Sequence, residues 1–341
     1  MTIRLKKLAD QVIVITGATS GIGLTTACKA AQRGAAVVLA ARNADALAEI
    51  CAGIQAGGGR CATVVADVGV REDVDRIAEV ARQEFGGFDT WVNNAGIGVY
   101  ATLEEMSPED HERIFQTNYW GVVHGSLVAL KELKRRGGAL INIGSISSDM
   151  PSPLLGAYTA TKHAVKGFTD SLRMEMLHED APVAITLIQP SGIDTPFGEH
   201  AKNYMDEASQ VPPPVYAPEV VASAVLHAAE HPTRNRIVGG WGRGMVAAAR
   251  TVPSLTDRIF TYSYYKTAKQ PGRPPRDTPD NLHSAGEDGN RYGDQGHQFD
   301  RSLYNKALRN PGTTLGVIAA AGVAALGLLS RPASHLQSYR G

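Results

Sequence analysis

Cysteine is scarce in this chain, and neither sign of charge is in excess. The three cysteines are Cys28, Cys51 and Cys61, and none of them lies in a CxxC spacing. We therefore expect no disulfide framework, no metal site and a reducing compartment such as the cytoplasm. The 34 basic residues balance the 34 acidic residues. This balance gives no reason to expect a nucleic acid partner, because phosphate binding needs a basic surface.

The N-terminus lacks an apolar run behind its basic residues Arg4, Lys6 and Lys7. It therefore does not have the pattern of a secretory signal peptide. Hydrophobic residues make up 43% of the 341 positions, which is enough for one large domain or two small ones.

Short apolar runs alternate with helical patterns through the first part of the chain. The predicted strands are 12–16, 35–41, 61–66, 90–93, 139–143, 183–188 and 236–238. The predicted helices are 22–33, 44–56, 72–85, one from an N-cap at Ser107 to about 135, 157–178 and 218–230. The strands are apolar throughout, as in a parallel sheet with helices on both faces. The pattern predicts a doubly wound α/β domain over residues 8–250.

The composition changes after about residue 265. Residues 265–310 are rich in proline, glycine and charge, which predicts a flexible linker. An apolar C-terminal segment follows at 311–331, with an uninterrupted apolar core at 315–329. This core is close to the shortest length of a membrane span. Three interpretations stay open for it: a membrane anchor or interfacial helix, a helix that packs on a partner subunit, and a disordered tail.

A glycine-rich loop follows the first predicted strand and opens the first predicted helix. Its sequence, Thr16-Gly17-Ala18-Thr19-Ser20-Gly21-Ile22-Gly23, lets the backbone turn sharply and approach a phosphate closely. The free N–H groups and the positive dipole end of the helix would point at that phosphate. The loop therefore predicts a dinucleotide site.

Several ordered motifs resemble the short-chain dehydrogenase/reductase family. They are the wide glycine spacing, Asn93-Asn94-Ala95-Gly96, Asn118, Ser145 and Tyr158-Thr159-Ala160-Thr161-Lys162. Ser145 precedes Tyr158 by 13 positions, as is usual in that family. The resemblance covers about residues 8–240 and implies a Rossmann-type fold of a single domain plus a C-terminal extension. One departure lies at Ser191, where the family usually has glycine after the proline.

The resemblance implies the residues of the site. Asn118, Ser145, Tyr158 and Lys162 would be catalytic. The cofactor would contact Gly17, Thr19, Ser20, Gly21, Ile22, Gly23, Arg42, Asp67, Val68, Asn94, Ala95, Gly96, Tyr158, Lys162, Pro190, Gly192, Ile193 and Thr195. It also implies a dimer or tetramer built through the helices that hold Asn118 and Tyr158.

The pair formed by Tyr158 and Lys162 is suited to proton transfer. The two side chains share one face of a helix because they are four residues apart, and the ammonium should lower the tyrosine pKa. Ser145 would orient the substrate oxygen. By resemblance, Lys162 also binds the ribose and Asn118 supports a proton relay.

The residues at the end of the second predicted strand should determine whether the protein uses NAD(H) or NADP(H). Ala41 is followed there by Arg42 and Asn43, with no acid. A guanidinium suits a 2′-phosphate, so the prediction is NADP(H) rather than NAD(H).

The predicted function is an oxidoreductase that interconverts an alcohol and a ketone or aldehyde. Loops 97–105, 146–155 and 197–216 should line the substrate pocket, and Met150, Leu154, Leu155 and Phe197 favour a lipophilic substrate. The alternative is a cofactor-binding sensor, or a membrane-tethered scaffold, that uses this fold without turnover.

Overall fold

A seven-stranded parallel sheet forms the centre of the molecule. The computed structural model describes residues 3–276, 279–302 and 304–305. The strands lie in the order β7-β6-β5-β4-β1-β2-β3. Their bounds are β1 Val12–Thr16, β2 Ala36–Ala41, β3 Arg60–Val65, β4 Thr90–Asn93, β5 Gly138–Ile143, β6 Val183–Pro190 and β7 Asn235–Val238. The order reverses between β1 and β4, so a crevice forms at the carboxyl ends of these two strands.

Ten helices surround this sheet in the described part of the chain. They are α1 Gly21–Gln32, α2 Ala44–Ala56, α3 Arg71–Phe85, α4 Pro108–Phe115, α5 Gly121–Arg136, α6 Gly156–His178, α7 Phe197–His200, α8 Pro218–Glu230, α9 Gly240–Thr251 and α10 Pro253–Thr267. Ser107 caps α4 as predicted, because its side chain accepts a hydrogen bond from Asp110 N.

Each face of the sheet has its own hydrophobic core. Ile13 and Ile15 of β1 pack toward α1, α2 and α8. Val12 and Val14 of the same strand point the other way, toward α3, α5 and α6. Both sets of side chains are buried, which explains why the strands are apolar at every position. The predicted doubly wound fold is confirmed.

The segment after α10 differs from the predicted linker wherever it is described. Residues 279–302 belong to the same compact unit as the sheet, Met1–Ser302. Leu282 is completely buried, and Gly21 N donates a hydrogen bond to Asn290 O. Polar and backbone contacts hold this segment, and a composition poor in hydrophobic residues does not reveal them.

The apolar segment predicted at 311–331 lies outside the described residues. Among the helices that the structure describes, none has the length and hydropathy needed to cross a membrane. The three interpretations of the segment therefore stay predictions.

Candidate active site

The glycine loop joins β1 to α1 with very little space around it. Gly17 has a φ of +61°, a conformation that residues with a side chain rarely adopt. A Cβ on Gly23 would lie 2.0 Å from Gly17 O. The loop can therefore fold back on the helix only when position 23 is glycine.

The Asn94-Ala95 segment fixes the loop from the neighbouring strand. Asn94 Nδ2 donates to Thr16 O at 2.9 Å and to Gly17 O at 3.0 Å. The Thr16 hydroxyl accepts from the backbone N of Asn94 and of Ala95. The end of β4 and the end of β1 are thus joined in one network at the crevice.

Tyr158 and Ser145 meet at the carboxyl edge of the sheet. Ser145 follows β5, Tyr158 lies in the first turns of α6, and their side chains are hydrogen-bonded to each other. Lys162 is one turn further along α6, with Nζ at 5.5 Å from the centre of the Tyr158 ring. Lys162 Nζ donates to Ile143 O at 2.9 Å. The structure thus brings the three predicted side chains together.

The pKa of Tyr158 differs from the prediction. Burial raises the pKa of Tyr158 to about 12, although the Ser145 hydrogen bond partly opposes that increase. Burial also lowers the pKa of Lys162 to about 8. Both groups lie in a low-dielectric environment that disfavours their charged forms. The lysine donates to the Ile143 carbonyl, and desolvation of the phenolate exceeds any effect of the ammonium.

Asn118 lies in a π-helical turn, Gln116–Trp120, between α4 and α5. Its side chain is fully buried. Oδ1 accepts from Ile97 N at 2.8 Å, and Nδ2 donates to Ile97 O at 3.0 Å. The sequence pattern predicted one continuous helix here. The π turn, a feature often found at functional sites, aims the amide at the loop behind Gly96.

Two adjoining cavities contain most of the predicted site residues. The first, about 170 Å³, is lined by Gly17, Thr19, Ser20, Gly21, Ile22, Arg42, Asp67, Val68, Asn94, Ala95, Gly96 and Thr195 among others. The second, about 430 Å³, is lined by Ser145, Tyr158, Lys162, Pro190, Gly192 and Ile193 among others. Ile22, Asn94, Gly96 and Thr195 line both cavities. Gly23 and Asn118 are in neither set.

The sequence matches the short chain dehydrogenase family model over residues 11–205. This match covers more than half of the chain, and its ordered motifs meet at one site. The chain belongs to the short-chain dehydrogenase family.

Its relatives in this family include both uncharacterised and named oxidoreductases. An uncharacterised oxidoreductase, YxnA of Bacillus subtilis, is 44% identical over 323 residues, which are 93% of this chain and 90% of the relative. The 11-beta-hydroxysteroid dehydrogenase A of Sesamum indicum is 30% identical over 288 residues, 81% of each chain.

Solved structures of family members share the fold. A short-chain dehydrogenase/reductase from Burkholderia phymatum, in complex with NAD, has a TM-score of 0.66 at 25% identity and covers 75% of this chain and 96% of its own. An alcohol dehydrogenase from Thermococcus sibiricus, complexed with 5-hydroxy-NADP, has a TM-score of 0.59 at 30% identity. The match covers 67% of this chain and 94% of the alcohol dehydrogenase.

Arg42 of this short-chain dehydrogenase lies at the end of β2, as predicted. Its Nη2 donates to Asn281 O at 2.5 Å. Burial lowers the Arg42 pKa, and the nearby charge of Arg113 acts in the same direction. Asp67 pairs with Arg113 at 2.5 Å. The end of the crevice beside β2 therefore carries two guanidinium groups, one of which is paired with a carboxylate.

The larger cavity is mainly apolar and lies directly above Tyr158. Met150, Leu155 and Phe197 line it as predicted, whereas Leu154 packs into a neighbouring cluster. Phe197 contacts the Tyr158 ring edge-on, with the ring centroids 5.3 Å apart.

Helices α9 and α10 supply lining residues that the sequence analysis missed. These are Trp241, Met245, Ile259, Phe260, Ser263, Tyr264 and Thr267. Pro253 at the first position of α10 was an available signal, because proline favours a helix start.

Ser191, the departure from the family pattern, is accommodated by two glycines. A Cβ on Gly239 would lie 2.2 Å from Ser191 Oγ, and one on Gly242 would lie 2.7 Å from Ser191 Cβ. The β7–α9 junction therefore leaves the space that this extra side chain occupies.

Burial of Lys162 predicts a specific dependence of stability on pH. The native pKa, about 8, is below the ordinary 10.5, so the unfolded state binds more protons between these values. The contribution of Lys162 to the free energy of unfolding should therefore rise with pH through that window. We expect the increase in the free energy of unfolding between these pH values to be about 3 kcal/mol smaller in Lys162→Met than in the unmodified protein. Urea unfolding below pH 8 and near pH 10.5 measures this difference.

The exposed Lys131 provides the matched control. Lys131→Met should keep the pH dependence of the unmodified protein, because 66% of the Lys131 side chain is exposed. Equal slopes for Lys162→Met and the unmodified protein would show that the Lys162 charge is not penalised by burial.

Proposed function

We propose that this protein is an NADP(H)-dependent oxidoreductase that interconverts a lipophilic alcohol and its ketone or aldehyde. The observation that carries the proposal is the convergence of Ser145, Tyr158 and Lys162 in the lining of the apolar cavity, which shares Ile22, Asn94, Gly96 and Thr195 with the glycine-loop crevice. A substrate in the apolar cavity and a cofactor in the crevice would meet at these shared residues.

The glycine loop fits a dinucleotide. Its backbone leaves no room for a Cβ at Gly23, and a Cβ on Gly17 would lie 2.7 Å from Ala95 Cα. The start of α1 offers N–H groups to a pyrophosphate. Asp67 and Val68 would hold the adenine, and Thr195 the carboxamide end. The bound nicotinamide would supply or accept the hydride.

Tyr158 is the general acid in the direction of reduction. With a pKa of about 12, its hydroxyl is protonated at neutral pH and can donate a proton to a carbonyl oxygen. Ser145 holds that oxygen beside the phenol and stabilises the negative charge that develops on it. In the opposite direction, the positive charges of Lys162 and of an oxidised nicotinamide favour the phenolate.

Asn118 and Lys162 support this proton transfer from the side of Gly96. A Cβ on Gly96 would lie 3.5 Å from Asn118 Oδ1 and 3.7 Å from Lys162 Nζ, so the two polar groups approach the same point. We propose that Lys162 binds the ribose and that Asn118 carries the proton relay between this lysine and solvent.

An apolar cavity supports a lipophilic substrate. The lining of α9 and α10 is aromatic and aliphatic, and desolvation of such surface drives binding. The similarity to a protein named as a hydroxysteroid dehydrogenase agrees with this class. We further propose a homo-oligomer built through α5 and α6.

A substrate screen with both cofactors tests the proposed function. We expect the purified full-length protein to oxidise NADPH in the presence of apolar ketones or aldehydes, with weaker use of small polar ones. Binding of NADPH without turnover of any carbonyl compound or alcohol would favour the sensor alternative instead.

Arg42→Ala tests the choice of cofactor. Loss of a charge-assisted contact to the 2′-phosphate should lower kcat/KM for NADPH by about tenfold to a hundredfold. The value for NADH should change much less, because NADH has no such phosphate.

The exposed Arg33 at the end of α1 is the control for this change. Arg33→Ala should leave both values unaltered. Equal or better use of NADH by the unmodified protein would contradict the NADP(H) assignment.

A further inference from the structure

The described C-terminal residues cross the mouth of the cofactor crevice. We call residues 281–298 the C-terminal strap. Gly289 N donates to Thr19 O, and Gly21 N donates to Asn290 O, both at 2.9 Å. Because the first amides of a helix lack partners within the helix, the strap satisfies one of them. The strap therefore lies directly against the glycine loop.

The strap also contacts the adenosine end of the crevice. Arg42 Nη2 donates to Asn281 O at 2.5 Å, and Asn43 Nδ2 donates to Gly286 O at 3.3 Å. Arg42 is the side chain that we assign to the 2′-phosphate. The strap therefore contacts the protein groups that we expect to bind the ribose 2′-phosphate and the pyrophosphate of the cofactor.

Leu282 anchors one end of the strap. Its side chain is completely buried in an apolar cluster that includes Ile97 and Ile114. Arg113 Nε donates to Leu282 O at 2.9 Å. A fully buried leucine contributes more to holding a polar segment than any one of its exposed hydrogen bonds.

A second set of contacts fastens the other end. His297 Nδ1 lies 2.8 Å from Asp194 Oδ2, and Gln298 Oε1 accepts from Val215 N at 2.6 Å. Asp194 precedes Thr195, which we assign to the nicotinamide end. The strap is therefore attached on both sides of the crevice.

The smaller cavity lies between the strap and the sheet. On the side of the fold it is lined by the glycine loop, and on the outer side by strap residues Asn281, Ala285, Gly286 and Asp288. A ligand in this cavity would therefore lie between the glycine loop and the strap, in contact with both.

We propose that the C-terminal strap is the outer wall of the dinucleotide site, so that the cofactor binds beneath it and leaves only when it lifts. This inference rests on the proposed cofactor function, but not on the choice between NADPH and NADH. The strap closes over bound cofactor and slows its dissociation, because its contacts must break before release.

Stopped-flow release of NADPH from the full-length protein tests the proposal. The variant Leu282→Ala removes the buried side chain and leaves the backbone donors and acceptors of the strap unaltered. We expect its NADPH release rate to increase about tenfold or more, with a matching rise in Kd. An unchanged rate, or tighter binding, would overturn the proposal, since tighter binding would mean that the strap competes with the cofactor.

Leu133→Ala is the matched control. Leu133 is equally buried, but it packs in the core between α5 and the sheet, away from the strap. It should lower stability without changing the release rate. If the unmodified protein binds neither NADPH nor NADH, the proposed function fails; if it binds and Leu282→Ala releases at the same rate, only the strap proposal fails.

Hydrogen exchange on the unmodified protein decides the question even if Leu282→Ala does not fold. Gly289 N donates to the glycine loop and Gly293 N to Asp194. Saturating NADPH should slow exchange of both amides by about tenfold or more, because opening is coupled to release. Unchanged or faster exchange would overturn the proposal.

Discussion

Replacing Tyr158 by phenylalanine should lower kcat by about 10² to 10⁴-fold, because the variant lacks the group that we propose gives or takes the proton. Cofactor binding should persist, since the ring remains in place against Phe197. Steady-state turnover with NADPH and the best carbonyl substrate measures the first effect. Fluorescence titration with NADPH measures the second.

Tyr264 is a suitable control for the loss of a buried phenol. It lines the same cavity, and its hydroxyl is hydrogen-bonded to Ser152. Tyr264→Phe should alter KM for the substrate more than kcat, because the group is near the substrate but not at the reacting oxygen. Turnover by Tyr158→Phe within about tenfold of the unmodified rate would mean that another group transfers the proton.

The spacing of Tyr158 and Lys162 in the sequence does not determine the direction of the Tyr158 pKa shift. A separation of four residues places Lys162 on the same helix face as Tyr158, and the structure agrees. The separation says nothing about the Ile143 carbonyl that receives the lysine hydrogen bond, or about how completely both groups are buried. Desolvation depends on the whole fold around the pair, so the spacing predicted a lowered Tyr158 pKa where burial raises it.

Local patterns were sufficient for the seven strands of the sheet and for α1, α2, α3, α6 and α8, whereas α7, α9 and α10 were not predicted. Strand β1 matches its prediction residue for residue, because apolar runs closed by glycine are short-range signals. The turn at Gln116–Trp120 was not predicted, since a π-helical turn shifts the phase of the periodicity without interrupting the helical run. Motif residues such as Asn94 and Tyr158 were found from order and spacing, and the fold places them at one edge.

The contacts of the C-terminal strap could not be predicted from local sequence patterns. Arg42 and Asn281 are separated by 239 positions, and the strap residues between 281 and 298 are mostly polar. Such a composition is typical of linkers. What orders the strap is a buried leucine at one end, backbone partners on the glycine loop and polar contacts at the other end, and none of these leaves a periodic signal.

Gly23→Ala should damage the cofactor site more than any other single methyl addition to the loop. The new Cβ would meet Gly17 O at 2.0 Å and Asn94 Nδ2 at 2.6 Å. Because the first contact is with backbone, the loop itself must shift. A shift of about 1 Å in a positioning element can cost a hundredfold, so we expect the Kd for NADPH to rise by about that factor. Fluorescence titration measures it.

Gly167→Ala separates this steric effect from the general cost of altering a helical glycine. Gly167 lies in α6, and nothing is within 4 Å of a Cβ built there. Alanine should stabilise that helix by about 0.5–1 kcal/mol and leave cofactor binding unchanged. Both variants add one methyl group to a helix, so the difference between them isolates the contact with the Gly17 carbonyl. Normal NADPH binding by Gly23→Ala would mean that the loop tolerates displacement, and the lack of space beside the Gly17 carbonyl would no longer explain the glycine at position 23.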